Sequence, residues 1–113
     1  MQDIQQVGYA IDTKRPLAVR ALRRSNVRKK ITEYLFDISP SGSYTSEIAY
    51  HTKTTPTNVL GALRGMGTRY KKEESLLNLH IIEQVNDSTT TPIKIYRITE
   101  FGKELMGLIK DRQ

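Results

Sequence analysis

The chain has 113 residues, 18 Lys/Arg against 12 Asp/Glu for a net charge of +6, and no cysteine. That bounds it to one domain with one modest core, and it excludes disulfides, Cys-ligated zinc and thiol catalysis. His51 and His80 lie in separate segments and give no metal site, and no apolar run suits a membrane span or a signal peptide. A cytoplasmic chain without cofactors or a membrane partner is expected.

Residues 1–15 alternate weakly through Ile4, Val7, Tyr9 and Ile11 and end at Lys14-Arg15-Pro16, which reads as an N-terminal arm. Leu17–Arg24 fits a helix and a strand equally. From Ser25 a helix is expected. The serine caps it, Val27, Ile31, Leu35 and Ile38 with Tyr34 form an apolar stripe, and Ser39-Pro40 ends it. Arg28, Lys29 and Lys30 fall off that stripe. Tyr44-Thr45 is extended, one rung of a sheet, and Thr45 caps a short helix, Ser46–Thr52, with Glu47 in its first turn and Ile48 and Ala49 inward.

After a turn at Lys53-Thr54, Thr55 caps a third helix and Pro56 takes its first position, where no backbone N–H is needed. Val59, Ala62, Leu63 and Met66 recur at helical spacing on the inner face, leaving Thr57, Asn58, Gly61 and Arg64 outside. Gly65-Met66-Gly67 closes the helix. Tyr70–Asn78 reads as a polar helical turn or two. His80–Val85 is a strand, Asn86–Pro92 a loop, and Ile93–Ile98 a second strand with Lys94, Tyr96 and Ile98 on one face. Thr99 caps a last helix over 100–110 that carries Phe101, Leu105, Leu108 and Ile109.

Charge is segregated along this order. Residues 1–30 hold eight Lys/Arg and two acids, 31–52 three acids and no Lys/Arg, 53–72 five Lys/Arg and no acid, and 73–92 four acids and no Lys/Arg. Such blocks are the footprint of a polyanion binder, and one positive block contains the third helix, whose outer face lacks the carboxylates of an ordinary solvated helix.

Helix, short rung, helix, tight turn, helix and then a hairpin is the order of the winged helix-turn-helix, and individual residues carry the likeness further. Tyr44-Thr45-Ser46-Glu47-Ile48-Ala49 resembles the t-x-S-x-I-A opening of the first motif helix, and Thr55 through Leu63 resembles the s-x-x-x-V-x-x-x-L of a recognition helix. Ile81-Ile82-Glu83, followed by Tyr96 through Gly102, resembles the G-L-I-E … Y-x-L-T-x-x-G wing of prokaryotic regulators. Arg24 through Ile31 is similar to the first-helix opening of archaeal-type regulators. The fold expected is therefore α+β and mainly helical: an N-terminal arm (1–15), then a winged helix-turn-helix domain (16–113). Within it the helix-turn-helix spans 45–66, the wing 80–99, and a C-terminal dimerisation helix 100–110.

The resemblance implies a DNA-binding transcriptional regulator with the third helix, Thr55–Met66, in the major groove. Small Gly61 lets the backbone approach, Asn58 and Arg64 read base edges, and Lys53, Thr55 and Thr57 hold phosphates. Two departures stand out. Gly67–Asn78 inserts most of an extra helix where a short link is usual before a wing, and Asp87–Thr91 at the wing tip carries no Lys or Arg, so Arg69, Lys71 and Lys72 stand in as phosphate contacts, with Lys94 on the second strand. Phe101, Leu105, Leu108 and Ile109 are expected to stay partly uncovered in one copy and to join two copies into a homodimer. The expected partner is double-stranded DNA, with room for a small-molecule effector. The alternative function is a winged-helix protein-interaction module without specific DNA binding. An enzyme finds no support, because no paired acids accompany a nucleophile and no Gly-rich phosphate loop follows a strand.

Overall fold

The computed structural model describes residues 14–66, 71–85 and 92–111. Its elements are α1 (residues 14–24), α2 (Asn26–Ile38), α3 (Thr45–Thr52), α4 (Pro56–Arg64), a 3-10 turn (Lys72–Glu74), β1 (Ile82–Gln84), β2 (Tyr96–Ile98) and α5 (Glu100–Asp111). The result is a small, mainly helical α+β structure with, among the described residues, five helices and one two-stranded antiparallel sheet. Among the described residues, no helix is long and apolar enough to cross a membrane.

The ambiguous segment 17–24 is a helix. Ala18, Ala21 and Leu22, spaced at three and four residues, are fully buried on one side of it. It takes in Lys14 and Arg15, which the sequence assigns to the arm. Arg15 reaches α5, its guanidinium 3.1 Å from the Glu104 carboxylate and 5.6 Å from the centre of the Phe101 ring. The remainder of the arm, residues 1–13, lies outside the described residues.

The helix starts follow the local capping chemistry. Ser25 Oγ accepts from the Arg28 N–H at 3.2 Å, and Thr99 Oγ1 accepts from the Gly102 N–H at 2.9 Å. Each satisfies a donor that the first helical turn otherwise leaves unpaired. α3 departs from this rule: Thr45 is its first helical residue, and Tyr44 occupies the cap position with no side-chain bond. The expected sheet rung shifts by one residue. Ser43, not Tyr44-Thr45, pairs with Tyr96 through two backbone hydrogen bonds of 2.8 Å.

β1 and β2 pair in the register Ile82↔Ile98, Glu83↔Arg97 and Gln84↔Tyr96. Tyr96 and Ile98 turn into the core, while Arg97 stays outside 3.2 Å from Glu83. Gly102 lies where β1 begins. A Cβ there would run into the Ile81 carbonyl oxygen, so only glycine lets α5 start this close to the strand.

Three sequence expectations are corrected by packing. Arg28 is buried rather than off the stripe; its Nη1 lies 3.9 Å from Glu74 Oε2, while Arg24 Nη1 lies 3.7 Å from Glu74 Oε1. The described part of 67–78 is one 3-10 turn followed by irregular turns, not most of a helix. The α5 stripe is also largely used at home. Phe101, Leu105 and Ile109 are buried in the single chain together with Met106, and only Leu108, at 43 % exposure, faces outward. The apolar surface expected to call for a second copy is thus mostly covered by α1, α2 and the sheet that share this core.

Leu105→Ala should therefore lower the unfolding free energy by about 2–5 kcal/mol in urea denaturation. Leu108→Ala should leave it within about 0.5 kcal/mol. A large effect at Leu108 with a small one at Leu105 would reverse the orientation of α5.

Candidate functional site

A nine-residue helix is too short to stand alone in water, so α4 must be held from several sides. Thr55 Oγ1 accepts from the Asn58 N–H at 3.1 Å, and Pro56 fills the first position. Val59, Ala62 and Leu63 are fully buried on the inner face. At the far end, the Leu76 and Leu77 N–H groups donate to the carbonyls of Ala62 and Leu63 at 2.9 and 3.0 Å. The chain leaves α4 through Gly65, whose φ of +78° suits glycine and whose Cβ, if present, would sit 2.5 Å from Lys72 Cα. Met66 lies beyond the helix and is 51 % exposed, so it does not belong to the inner face.

The entry to α4 is equally tight. Lys53 adopts the left-handed conformation, φ 56° and ψ 45°, and its N–H closes the end of α3. Asn58 Nδ2 donates to Thr54 Oγ1 at 3.1 Å, which orients the amide while leaving Oδ1 and a second N–H for another partner. Lys53, Thr55 and Thr57 are exposed, as are Lys71, Lys72 and Lys94. Cations therefore flank both ends of α4: Lys53 in the turn before it, and Lys71 with Lys72 in the segment packed against Gly65.

Two expected residues sit differently. Gly61 is buried, so it presents no open surface. Arg64 is half-buried and engaged: its Nε and Nη2 donate to the Tyr96 hydroxyl at 3.3 and 3.0 Å, and Nη2 lies 3.4 Å from Gln84 Oε1. It ties the last turn of α4 to the hairpin. Arg69 and the wing tip 87–91 lie outside the described residues. Leu60 is a surface residue that the apolar stripe did not flag. Together with Pro56 and Arg64 it lines one wall of a shallow groove, whose other sides are Tyr44–Ser46 at the start of α3 and Pro92–Lys94 before β2. The sequence signal for Leu60 was its position, an apolar residue one place past Val59 and so rotated away from the core.

Elsewhere, His51 stacks on Tyr34 with ring centres 4.7 Å apart and meets Tyr50 edge-on. Tyr50, on α3, is 77 % exposed. Among the described residues no cluster of three His, Asp or Glu is arranged to hold a metal.

Tyr96→Phe should remove the shared acceptor of Arg64 and cost about 0.5–1.5 kcal/mol in thermal or urea unfolding. In a double-mutant cycle with Arg64→Met, the two losses should be clearly less than additive. Full additivity would mean that Arg64 does not hold the hairpin.

A family model described as EarA-like matches residues 18–109, from α1 to the last turns of α5. An uncharacterized protein of Methanocaldococcus jannaschii is 39 % identical over 97 residues, covering 86 % of this chain and 85 % of its own length. No solved structure matches. Neither the family model nor this relative is described as a winged-helix regulator.

Proposed function

The chain belongs to the EarA-like family, and we propose that it is a sequence-specific, double-stranded DNA-binding transcriptional regulator of winged helix-turn-helix type, with α4 entering the major groove. The observation that carries this reading is the outer surface of α4. Thr57 and Asn58 stand at its first turn, Lys53 precedes it, and Lys71 and Lys72 pack at its end. No Asp or Glu interrupts residues 53–72. An ordinary solvated helix mixes acids with bases, whereas a surface meeting phosphates on both sides excludes acids.

Geometry adds support. α3 and α4 are joined by three residues, 53–55, of which Lys53 is left-handed, and the hairpin is strapped to the end of α4 by Arg64. A short helix set between a preceding helix and a hairpin is the order of elements that, in a helix-turn-helix, brings side chains of the first turn to base edges. Base reading is then assigned to the first turn, to Thr57 and above all to Asn58, whose free amide atoms match an adenine edge. Arg64, committed to Tyr96, acts as a positioning residue. Lys53, Lys71, Lys72 and Lys94 neutralise phosphates. The exposed Tyr50 on α3 favours the second reading, a protein-interaction module, because a solvated tyrosine of this size serves a protein interface well.

Salt dependence separates the two. With about four phosphates neutralised, one by each of these lysines, the slope of log K against log salt for duplex DNA should be about −4. A flat response would favour the protein-partner reading.

Variants then sort the contacts. Asn58→Ala should relax preference at one base pair and cost about 1–3 kcal/mol on the best site. Lys71→Ala with Lys72→Ala should weaken all sequences alike and make the slope shallower by about 2. If the Asn58 variant keeps full sequence preference in a selection from random duplexes, α4 is not the reader.

A further inference from the structure

We propose that Leu60 contacts bases and selects for the 5-methyl group of thymine. This rests on α4 being the DNA-facing helix, and it goes further by naming the base feature that this surface favours. Pro56, Leu60 and Arg64 follow one another at a spacing of four residues, so they form a single row along one side of α4. Ile93 and Lys94 line the groove beside that row. Leu60 is half-buried and Ile93 is 52 % exposed, so the groove keeps branched aliphatic surface within reach of a ligand.

The core does not explain Leu60. Val59, Ala62 and Leu63 already fill the inner face of the same helix, and Leu60 is rotated about a quarter-turn away from Val59. Charge decides between occupants. Arg64 and Lys94 line the groove and no Asp or Glu does. An apolar protein segment has no need of that cationic surround. A major groove does, because it presents phosphates at its rims and, on its floor, one apolar substituent: the thymine methyl. Leu60 offers the matching aliphatic contact, and the lysine and arginine offer the matching charge.

The test uses the full chain and a duplex selected from a random library for tight binding. Thymines in that duplex are replaced one at a time by uracil, which keeps every hydrogen-bonding group and removes only the methyl. At one or two positions the wild type should lose about fourfold in affinity, the loss expected for one unburied methyl. Leu60→Ala should bind the thymine and uracil forms of those duplexes equally. Two results overturn the proposal while leaving DNA binding intact: a wild type insensitive to uracil at every position, or a Leu60→Ala variant that still prefers thymine. Should Leu60→Ala fold poorly, Leu60→Asn, polar and close to leucine in size, takes its place and should likewise bind the thymine and uracil forms equally. Failure to select any preferred duplex, or capture of a protein partner at this groove in its place, would instead overturn the reading of α4 on which the proposal stands.

Discussion

Two backbone hydrogen bonds, from Leu76 N–H to the Ala62 carbonyl and from Leu77 N–H to the Leu63 carbonyl, hold the end of α4 in place. A helix leaves its last carbonyls without partners, and a buried end cannot leave them so. Here an irregular segment supplies the donors. The same segment runs on into β1 through Ile81 and Ile82, whose N–H groups both reach the Leu76 carbonyl at 3.0 and 3.3 Å. One stretch of chain therefore finishes the helix and starts the hairpin. Gly65 makes this possible, since any side chain there would meet the backbone at Lys72.

The consequence is a division of labour along nine residues. The last turn of α4 serves structure: Leu63 is in the core, the Ala62 and Leu63 carbonyls are capped by the following segment, and Arg64 bonds Tyr96. The first turn carries Thr57 and Asn58 and is held by its own cap. Leu60 lies between the two, over the groove. A ligand surface on a helix this short has to be fixed at both ends before it can select anything, because a loose reader would lose in ordering entropy what its contacts contribute.

Local chemistry was legible in the sequence, and non-local chemistry was not. Ser25, Thr55 and Thr99 cap their helices as read, because a cap involves only residues within one turn. The alternation in the second strand puts Tyr96 and Ile98 on one face, and the structure turns that face into the core. By contrast, Arg28 looked like a solvated cation until Glu74, 46 positions further on, came within ion-pair reach. Arg64 reads from the sequence as an outward base contact, and its bonds to the Tyr96 hydroxyl, 32 positions further on, are seen only in the fold. The α5 stripe reads as needing a second copy because the contribution of α1 to the core is invisible in the sequence: segment 17–24 fits two periods, and its Ala18, Ala21 and Leu22 share one core with Phe101, Leu105 and Ile109. Periodicity tells which face is buried, not against what.

Titrating the isotopically labelled chain with a duplex, and following backbone amide shifts by NMR, tests the assignment of the reading surface most directly. The largest shifts are expected at Lys53 through Leu60, at Lys71 and Lys72, and at Ile93 and Lys94. Little change is expected across α5 or around Tyr34 and Tyr50. Shifts concentrated on Tyr50 and α5 with α4 unmoved, or no shifts at low salt, would contradict it.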